Sequence, residues 1–289
     1  MSGTSPAAAR GLRIAGRHVP VSLALGIAVV LTIASLALLA PLIAPYPYDQ
    51  FSLRARLHPP SAAHWFGTDE FGRDVFSRVL TGAGVSLGMG FGATAISLAL
   101  GVPLGLVAAY LRGAAEEAIM RTVDVLISVP PILLGLLILA VAEPSVWKTA
   151  GAVGLIYVPI MTRLARSVAL GLMEEDFITA ARARGEGALY ILAVEILPNA
   201  WPPIIVETSL RITFAILLGS ALSFLGLGAQ PPSSEWGLMI AESRPFIEKA
   251  PWIGLAPGIC LCVLLIAVNL VGEGLRETLD PRLIKRGHS

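Results

Sequence analysis

The amino-acid sequence predicts an all-α, polytopic membrane protein with about six transmembrane helices. Only 14% of its 289 residues are charged and 55% are hydrophobic, whereas soluble domains carry about 25% charged residues. The mean hydropathy is +0.75. Several stretches without Asp, Glu, Lys or Arg reach the roughly 20 residues that a helix needs to cross a bilayer. A net charge of +1, with no basic patch of interleaved aromatic residues, argues against a nucleic acid partner.

These uncharged stretches give the predicted spans in order. The fourth stretch is short, and it becomes a span only if the helix extends to about Leu170, with Arg163 and Arg166 directing their charged ends to the membrane interface. The stretches cover residues 18–48, 79–111, 125–142, 149–162, 212–234 and 250–272.

The first stretch follows Arg10, Arg13 and Arg17, and so has the outline of a secretory signal peptide. Its apolar run, 19–44, is longer than the roughly 7–15 residues of a signal core, and prolines follow it in place of a cleavage site. We interpret it as a retained transmembrane helix. Most Lys and Arg residues then fall in segments on the side of the N-terminus, so both termini are predicted to be cytoplasmic.

An external segment, 45–84, follows and ends in HWFGTDEFGRDVFSRVL (64–80). The residues GTD predict a turn in which Thr68 or Asp69 caps a helix. Apolar residues at helical spacing after it predict a short amphipathic helix that leads into the membrane. A metal or catalytic site among its acidic residues is the alternative, but the nearby histidines lack the spacing of a known metal motif.

Glycine and proline mark the second and third spans. Gly84, Gly88 and Gly92 recur at intervals of four, and small residues at this spacing let helix backbones approach closely in lipid. We therefore predict a helix-packing face there. In the third span, Pro130-Pro131 must kink the helix or interrupt its hydrogen bonds.

The predicted spans carry no charged residue near their middle, because Asp124, Glu207, Arg211 and Glu273 all fall close to predicted ends. Charges at mid-membrane usually mark ion or proton pathways, so this pattern argues against a carrier coupled to an ion gradient. The sequence also lacks the GxxxxGK[ST] phosphate loop, HExxH and GxSxG. We expect no catalytic residue in this chain, and an energy source that a partner supplies.

A long polar segment, 174–203, interrupts the apolar sequence with EEDFITAARARGEGALYILAVEILPNAWPP. The predicted topology places it in the cytoplasm. Residues 176–184 can form a helix whose alanines permit close approach, Gly185 can end that helix with a positive φ, and Pro198 suits the start of the next helix. We predict a loop that another protein holds; the alternative is a solvated loop whose alanines reflect helix propensity alone.

This segment resembles a known family. Thr179-Ala180-Ala181, Gly185 and Leu197-Pro198 are similar to the "EAA" cytoplasmic loop of binding-protein-dependent ABC importer permeases. The similarity extends to the C-type membrane subunit of the dipeptide, oligopeptide and nickel branch, and it implies the type I ABC importer transmembrane domain as the fold. The segments that carry it are 64–80, 176–199, and 223–240 leading to 274–283.

In that family the loop forms a short coupling helix that docks into a groove on the ATP-binding subunit. The chain departs from the family pattern at Thr179, where the founding residue is Glu, and at Glu186 and Glu195. These departures leave the individual contacts open. The resemblance assigns the coupling role to Asp176, Phe177, Thr179, Ala180, Ala181, Arg182, Gly185, Leu197 and Pro198.

The resemblance implies a non-catalytic permease subunit that forms half of a translocation pathway for short peptides in the bacterial inner (plasma) membrane. The implied partners are a homologous permease in a heterodimer, two ATP-binding subunits and an external substrate-binding protein. ATP and Mg belong to the ATP-binding subunits, and no cofactor or metal is expected on this chain. Nickel or another chelated metal is the alternative cargo, and an ATP-independent secondary carrier is the alternative from a different class.

The expected organisation follows from the spans and the resemblance. A cytoplasmic tail covers 1–18, and the first transmembrane helix with its external segment covers 19–84. A five-helix transmembrane domain covers 85–276 and includes the coupling loop 171–203. A second cytoplasmic tail covers 277–289.

Overall fold

A computed structural model describes residues 11–14, 17–141 and 143–279 of the chain. A short antiparallel pair of strands, β1 (Gly11–Ile14) and β2 (Arg17–Pro20), precedes a helical body. Most of both predicted tails lies outside the described residues. The helices are α1 (Val21–Ile43), α2 (Val75–Leu111), α3 (Gly113–Ser128), α4 (Pro131–Leu139), α5 (Val146–Leu172), α6 (Asp176–Ala183), α7 (Ala188–Tyr190), α8 (Leu197–Phe224), α9 (Trp236–Ser243) and α10 (Trp252–Leu279).

The described residues contain five helices that are long and apolar enough to cross a membrane, or up to six if the bent pair α3 and α4 forms one span. The prediction of an all-α fold with about six spans is therefore confirmed. The doubtful fourth span does extend beyond its uncharged stretch, because α5 continues to Leu172. Its two arginines pair with acids of α3, Arg163 with Asp124 and Arg166 with Glu116.

The third span is broken where the sequence predicted an interruption. α3 ends at Ser128, and α4 begins at Pro131 with its axis turned by 92°. A proline inside a helix lacks an N–H donor and its ring clashes with the preceding turn, so two in succession end one helix and start another. The amide groups of Leu133 and Leu134 both donate to Pro130 O, at 3.0 and 3.2 Å, which closes the first turn of α4.

Glycines let α2 and α5 pack with their backbones in close approach. A Cβ atom added to Gly101 would lie 2.8 Å from Val158 O, and one added to Gly105 would lie 2.9 Å from Arg166 N. Such distances are too short for any side chain, so these positions accept only glycine without a shift of α5. The paired helices form the centre of the bundle.

The glycines predicted to form a packing face lie elsewhere on α2. A Cβ atom at Gly84 would meet Ala37 at 3.7 Å, and at Gly88 and Gly92 it would meet Trp147 at 3.6 and 4.0 Å. These are ordinary van der Waals distances, so this chain alone does not pack closely there. A packing role for these three glycines stays a prediction that concerns contacts outside the chain.

The start of α2 corrects the prediction for the external segment. The helix is continuous from Val75, without a separate amphipathic helix before it, and its cap is Asp74 in place of Thr68 or Asp69. Asp74 Oδ2 accepts hydrogen bonds from the backbone N and the hydroxyl of Ser77, both at 2.8 Å. Asp69 cannot cap the helix, because its carboxylate binds two arginines.

A buried cluster of charges lies at this end of α2. Asp69 Oδ2 accepts hydrogen bonds from Arg73 Nε at 2.6 Å and from Arg78 Nη1 at 2.7 Å, and all three side chains are almost fully buried. Arg78 Nη2 also donates to Glu242 Oε2 at 2.9 Å and to Ser233 O at 3.1 Å. The cluster therefore joins α2 to the segment between α8 and α10.

That segment folds inward against α2. Trp236 is fully buried, and its Nε1 donates to Val79 O of α2 at 3.0 Å. Glu235 caps α9 by accepting from the backbone N atoms of Gly237 and Leu238, each at 2.9 Å. The apolar side of α9 thus belongs to the core, and its amphipathic pattern reflects packing within the chain.

The position at which α8 begins determines how far Glu207 and Arg211 lie from the end of that helix. α8 begins at Leu197, whereas the uncharged stretch that predicted this span begins at residue 212. Pro198 lies in the first turn of α8, where proline is tolerated, and Pro202 and Pro203 also lie within the helix. Glu207 and Arg211 consequently lie well inside a spanning helix, so the inference that no charge falls there is wrong.

The charge cluster generates a prediction for stability. Arg78→Leu removes one of the two guanidinium groups from Asp69 and one from Glu242, and breaking a buried pair costs about 3–5 kcal/mol. We expect a marked fall in the thermal unfolding midpoint of the purified protein in detergent. Arg121→Leu is the matched control, because its pair with Glu117 is exposed and contributes about 0–1 kcal/mol. Equal shifts in the two variants would contradict a stabilising role for the cluster.

Glu70 beside this cluster generates a prediction for pH. Burial raises its pKa above 4.5 by desolvating the carboxylate, and the negative charges of Asp69 and Glu242 raise it further. Below pH 4.5 the group is protonated whether the protein is folded or unfolded. As the pH rises through the folded-state pKa, ionisation in the buried site lowers stability. Glu70→Gln should therefore raise the unfolding midpoint at pH 7 and leave it nearly unchanged near pH 4. The exposed Glu117→Gln should change it at neither pH, and a gain for Glu70→Gln at both would contradict the titration.

Candidate functional site

The polar segment between α5 and α8 forms a compact structure at one end of the bundle. Only the residues 173–175 separate α5 from α6. The segment then turns at Gly185 and continues through α7 and a π-helical segment, Ile191–Ile196, into α8. Asp176 in the first turn of α6 places a negative charge next to the unpaired amide groups of that helix end, which is favourable.

α6 has one face in the core and one face on the surface. Ile178 and Ala181 are 0% exposed and belong to the same apolar cluster as residues of α2, α5 and α8. Thr179, Ala180 and Arg182 are exposed. The coupling residues predicted from the sequence therefore divide in two: Ala181 packs inside this chain, and Ala180 presents its methyl group to the exterior.

Gly185 ends α6 in a backbone conformation that favours glycine. The conformation, and not a lack of space for a side chain, is what requires glycine at this position. Its φ is +82°, and a Cβ atom there would meet no heavy atom of the described residues within 4 Å. Glu186 N donates to Ala181 O at 3.2 Å and Gly185 N to Arg182 O at 3.0 Å, which is the Schellman pattern of a helix end. The turn at Gly185 thus satisfies the last carbonyl groups of α6.

Arg184 connects two acids that departed from the family pattern. Its Nη2 lies 3.0 Å from Glu195 Oε1, and its Nε lies 3.7 Å from Glu186 Oε1. Glu195 belongs to the π-helical segment before α8, so the pair joins the end of α6 to the base of α8. Sequence reasoning missed this contact, because a charge pair eleven residues apart across a turn has no periodic signal.

The approach to α8 explains the placement of Leu197 and Pro198. Leu197 N donates to Leu192 O, five residues back, as in a π-helix. The wider turn relieves the clash that the ring of Pro198 would make with the preceding α-helical turn. Ile191 and Ile196 remain in the apolar cluster beneath α6.

One apolar cluster links all of these elements. Because cores are close-packed and have low compressibility, a displacement of α6 must carry the neighbouring helix ends with it. Sequence analysis did not identify Ile178, which is fully buried in this cluster. An isoleucine within a polar run is the signal that could have pointed to it. The cluster contains Val102, Leu106 and Ala109 of α2, Met161, Ala165 and Ala169 of α5, Ile178 and Ala181 of α6, Ala200 and Ile204 of α8, and Met173, Ile191 and Ile196 between them.

The described residues contain no group of three or more His, Cys, Asp or Glu side chains placed to hold a metal ion. The histidine nearest the acidic motif, His64, contacts the helix cap instead, with Nδ1 2.9 Å from Asp74 Oδ1. In the segment around α6, the helix is packed on one side and exposed on the other.

Comparison with known families gives two matches. The family described as "Binding-protein-dependent transport system inner membrane component" matches residues 101–285. The family described as "N-terminal TM domain of oligopeptide transport permease C" matches residues 23–60.

Individual proteins are similar over most of the chain. The dipeptide transport system permease protein DppC of Alkalihalophilus pseudofirmus is 43% identical over 89% of this chain and 85% of its own length. The di/tripeptide transport system permease protein DppC of Pseudomonas aeruginosa is 41% identical over 89% of this chain and 87% of its own. A solved structure of the inward-facing MetNI methionine ABC transporter has a TM-score of 0.58 over 70% of this chain and 96% of that chain. At 16% identity it supports the fold alone.

The turn at Gly185 generates a prediction that proteolysis measures. Gly185→Val forces a branched side chain into a positive-φ conformation that costs about 1–2 kcal/mol, which opens the last turn of α6. Trypsin should then cleave after Arg182 or Arg184 about tenfold faster than in the wild-type protein. Gly185→Asn is the matched control, because asparagine tolerates this conformation and the site has space for it. Equal cleavage rates of the Gly185→Val and Gly185→Asn variants would contradict the conclusion that the backbone conformation of Gly185 determines the end of α6.

Proposed function

The chain belongs to the family of binding-protein-dependent transport system inner membrane components, and we propose that it forms half of the pathway through which an importer moves short peptides. It is a permease subunit of a binding-protein-dependent ABC importer, and it is not itself an enzyme. The function predicted from the sequence is confirmed to that level. Membership of this family also excludes the rival interpretation as an ATP-independent carrier.

The names of the relatives are the observation that supports short peptides as the transported substrate. Relatives that match at about 40% identity along nearly the whole chain are named for dipeptides, for di- and tripeptides and for glutathione. The match of residues 23–60 to an oligopeptide permease family points to the same class. These names favour short peptides over nickel as the cargo of this chain.

We assign the partners from the family and the architecture. A single chain of about six spans supplies one side of a pathway, so a homologous permease completes it. The sequence lacks the GxxxxGK[ST] phosphate loop, so we propose that two ATP-binding subunits, which carry ATP and Mg, supply the energy. A substrate-binding protein delivers the peptide at the outer side.

The exposed face of α6 is the surface that we assign to the ATP-binding subunit. Thr179, Ala180 and Arg182 face outward on a helix whose opposite face is fixed in the core. The small Ala180 side chain lets a partner approach the helix backbone closely. ATP binding then moves the docked α6, and the close-packed cluster passes the movement to α2, α5 and α8. Alternating access between the two sides of the membrane follows from that movement.

We place the chain in the bacterial inner membrane with both termini in the cytoplasm. The distribution of arginine and lysine supports this orientation. In the proposed organisation, residues 1–18 and 277–289 are cytoplasmic tails, 19–84 form the first span and external segment, and 85–276 form the transmembrane domain with its coupling loop at 171–203.

The docking surface is tested by replacing single alanines with tryptophan, at the exposed face of α6 and at a distant exposed position. Ala180→Trp adds bulk to the exposed face of α6 and should reduce ATP-dependent uptake of a dipeptide by about tenfold or more. Ala115→Trp is the matched control, because Ala115 is also exposed on a helix at the same predicted side of the membrane. Its uptake should remain near that of the wild-type protein.

The readouts are uptake and the amount of each variant in the membrane. Ala181→Trp should lower the amount of folded protein, because that side chain is buried within the chain. Normal uptake by Ala180→Trp, with normal expression, would reject α6 as the docking surface.

A further inference from the structure

An ion pair lies inside the spanning helix α8. Arg211 Nη2 is 2.7 Å from Glu207 Oε1, one helical turn away. Since α8 runs from Leu197 to Phe224, Arg211 lies 14 residues after its start and 13 before its end. The backbone therefore continues as helix for about 20 Å on each side of this residue.

The pair does not face lipid. The side chains of Arg211 and Glu207 are 13% and 21% exposed, so each is partly covered by protein and partly open. Charged side chains within spanning helices face the bundle interior, a partner or a water-filled cavity, because lipid cannot solvate them. The open edge of this pair therefore faces a pathway or a second protein chain.

The pair does not serve to join helices, since both members belong to α8. A Glu–Arg pair one turn apart in the same helix contributes only weakly to helix stability. Near this point α8 makes polar contacts with its neighbours that do not involve the pair: Tyr157 Oη donates to Phe214 O at 3.3 Å, and Thr213 Oγ1 donates to Asn269 Oδ1 at 3.2 Å. Arg211 itself contacts the ring of Tyr157 in α5, but no charged group of a neighbouring helix among the described residues pairs with Arg211 or Glu207. The charges of the pair are therefore available to a ligand.

The guanidinium of Arg211 has donor capacity that the chain does not use. Its Nε is buried and has no hydrogen-bond partner among the described residues. The rings of Tyr157 and Phe214 lie 5.5 and 5.1 Å from its central carbon and hold the side chain in place. A planar guanidinium with free N–H groups and aromatic neighbours is suited to bind a carboxylate.

The surroundings of the pair match a pathway. Tyr157 of α5, whose ring contacts Arg211, belongs to an apolar cluster with Leu139 of α4 and Leu218 of α8, so three helices meet in this cluster. One of them, α4, follows the break in the third span. Non-helical backbone at membrane depth is tolerated where it is covered by protein or lines a cavity.

We propose that Glu207 and Arg211 form a charged binding site on the translocation pathway for the termini of a zwitterionic peptide. The substrate carboxylate binds the Arg211 guanidinium, and its ammonium group binds the Glu207 carboxylate. This inference rests on the proposed peptide importer, and it names the chemical groups that the pathway recognises. The ion pair within α8 occupies both groups until a substrate replaces it.

The test uses the complete importer in proteoliposomes, with its binding protein saturated by L-alanyl-L-alanine. Arg211→Gln should reduce ATP-driven uptake about tenfold, with unchanged co-purification of the second permease and the ATP-binding subunits. Arg244→Gln is the matched control: that arginine also stacks on a phenylalanine, Phe224, but lies outside the spanning helices. Its uptake should stay within about twofold of the wild-type value.

The exchange Glu207→Arg with Arg211→Glu separates a binding role from a structural one. It restores the ion pair but moves the cation by one turn, about 6 Å along α8. We expect uptake to remain low. Recovery of uptake in the exchanged variant would show that only the pair matters and would overturn the proposal.

Other outcomes have distinct meanings. Normal uptake by Arg211→Gln would reject the binding site and leave the importer function intact. Loss of the second permease from the purified Arg211→Gln complex would identify the pair as a subunit contact, which also rejects the site. Absence of dialanine uptake by the wild-type importer would overturn the peptide function itself.

Discussion

The close approach of α2 and α5 is the constraint on which the rest of the structure depends. Without side chains at Gly101 and Gly105, α2 and α5 meet backbone to backbone and need no hydrophobic driving force in lipid. That contact fixes the end of α5, and only three residues separate this end from α6. The exposed face of α6 is therefore held by the helix pair at the centre of the bundle.

The two ends of α2 are stabilised by different physics. At the N-terminal end of α2, Asp69 and Arg78 form a buried electrostatic cluster that attaches α9 to α2. At the C-terminal end, Leu106 and its apolar neighbours attach α6. Breaking a buried ion pair is costly, whereas packed helices can slide past one another by small amounts. The arrangement suits a fixed N-terminal end of α2 and a movable C-terminal end.

Much of the fold and of the coupling segment could be predicted from the sequence. Some features follow from local backbone conformation or solvation, and these can be predicted from the sequence directly. They are the spans in long uncharged stretches, the break at Pro130-Pro131 and the helix end at Gly185. Tertiary contacts could not be predicted in this way, because nothing local in the sequence shows that the buried Trp236 of α9 donates to Val79 O. In the same way, the sequence alone does not distinguish the two adjacent alanines of α6. Packing against the rest of the chain determines that Ala181 is buried and Ala180 is exposed.

The short connection between α5 and α6 has a mechanical consequence. α5 has 27 residues and is about 40 Å long. Three linking residues leave little slack, so a tilt of α6 pulls on the adjoining end of α5. Pro159 lies inside α5 and removes one bond from its hydrogen-bond ladder. The strain of such a tilt is therefore concentrated between Pro159 and Leu172, about 20 Å of helix.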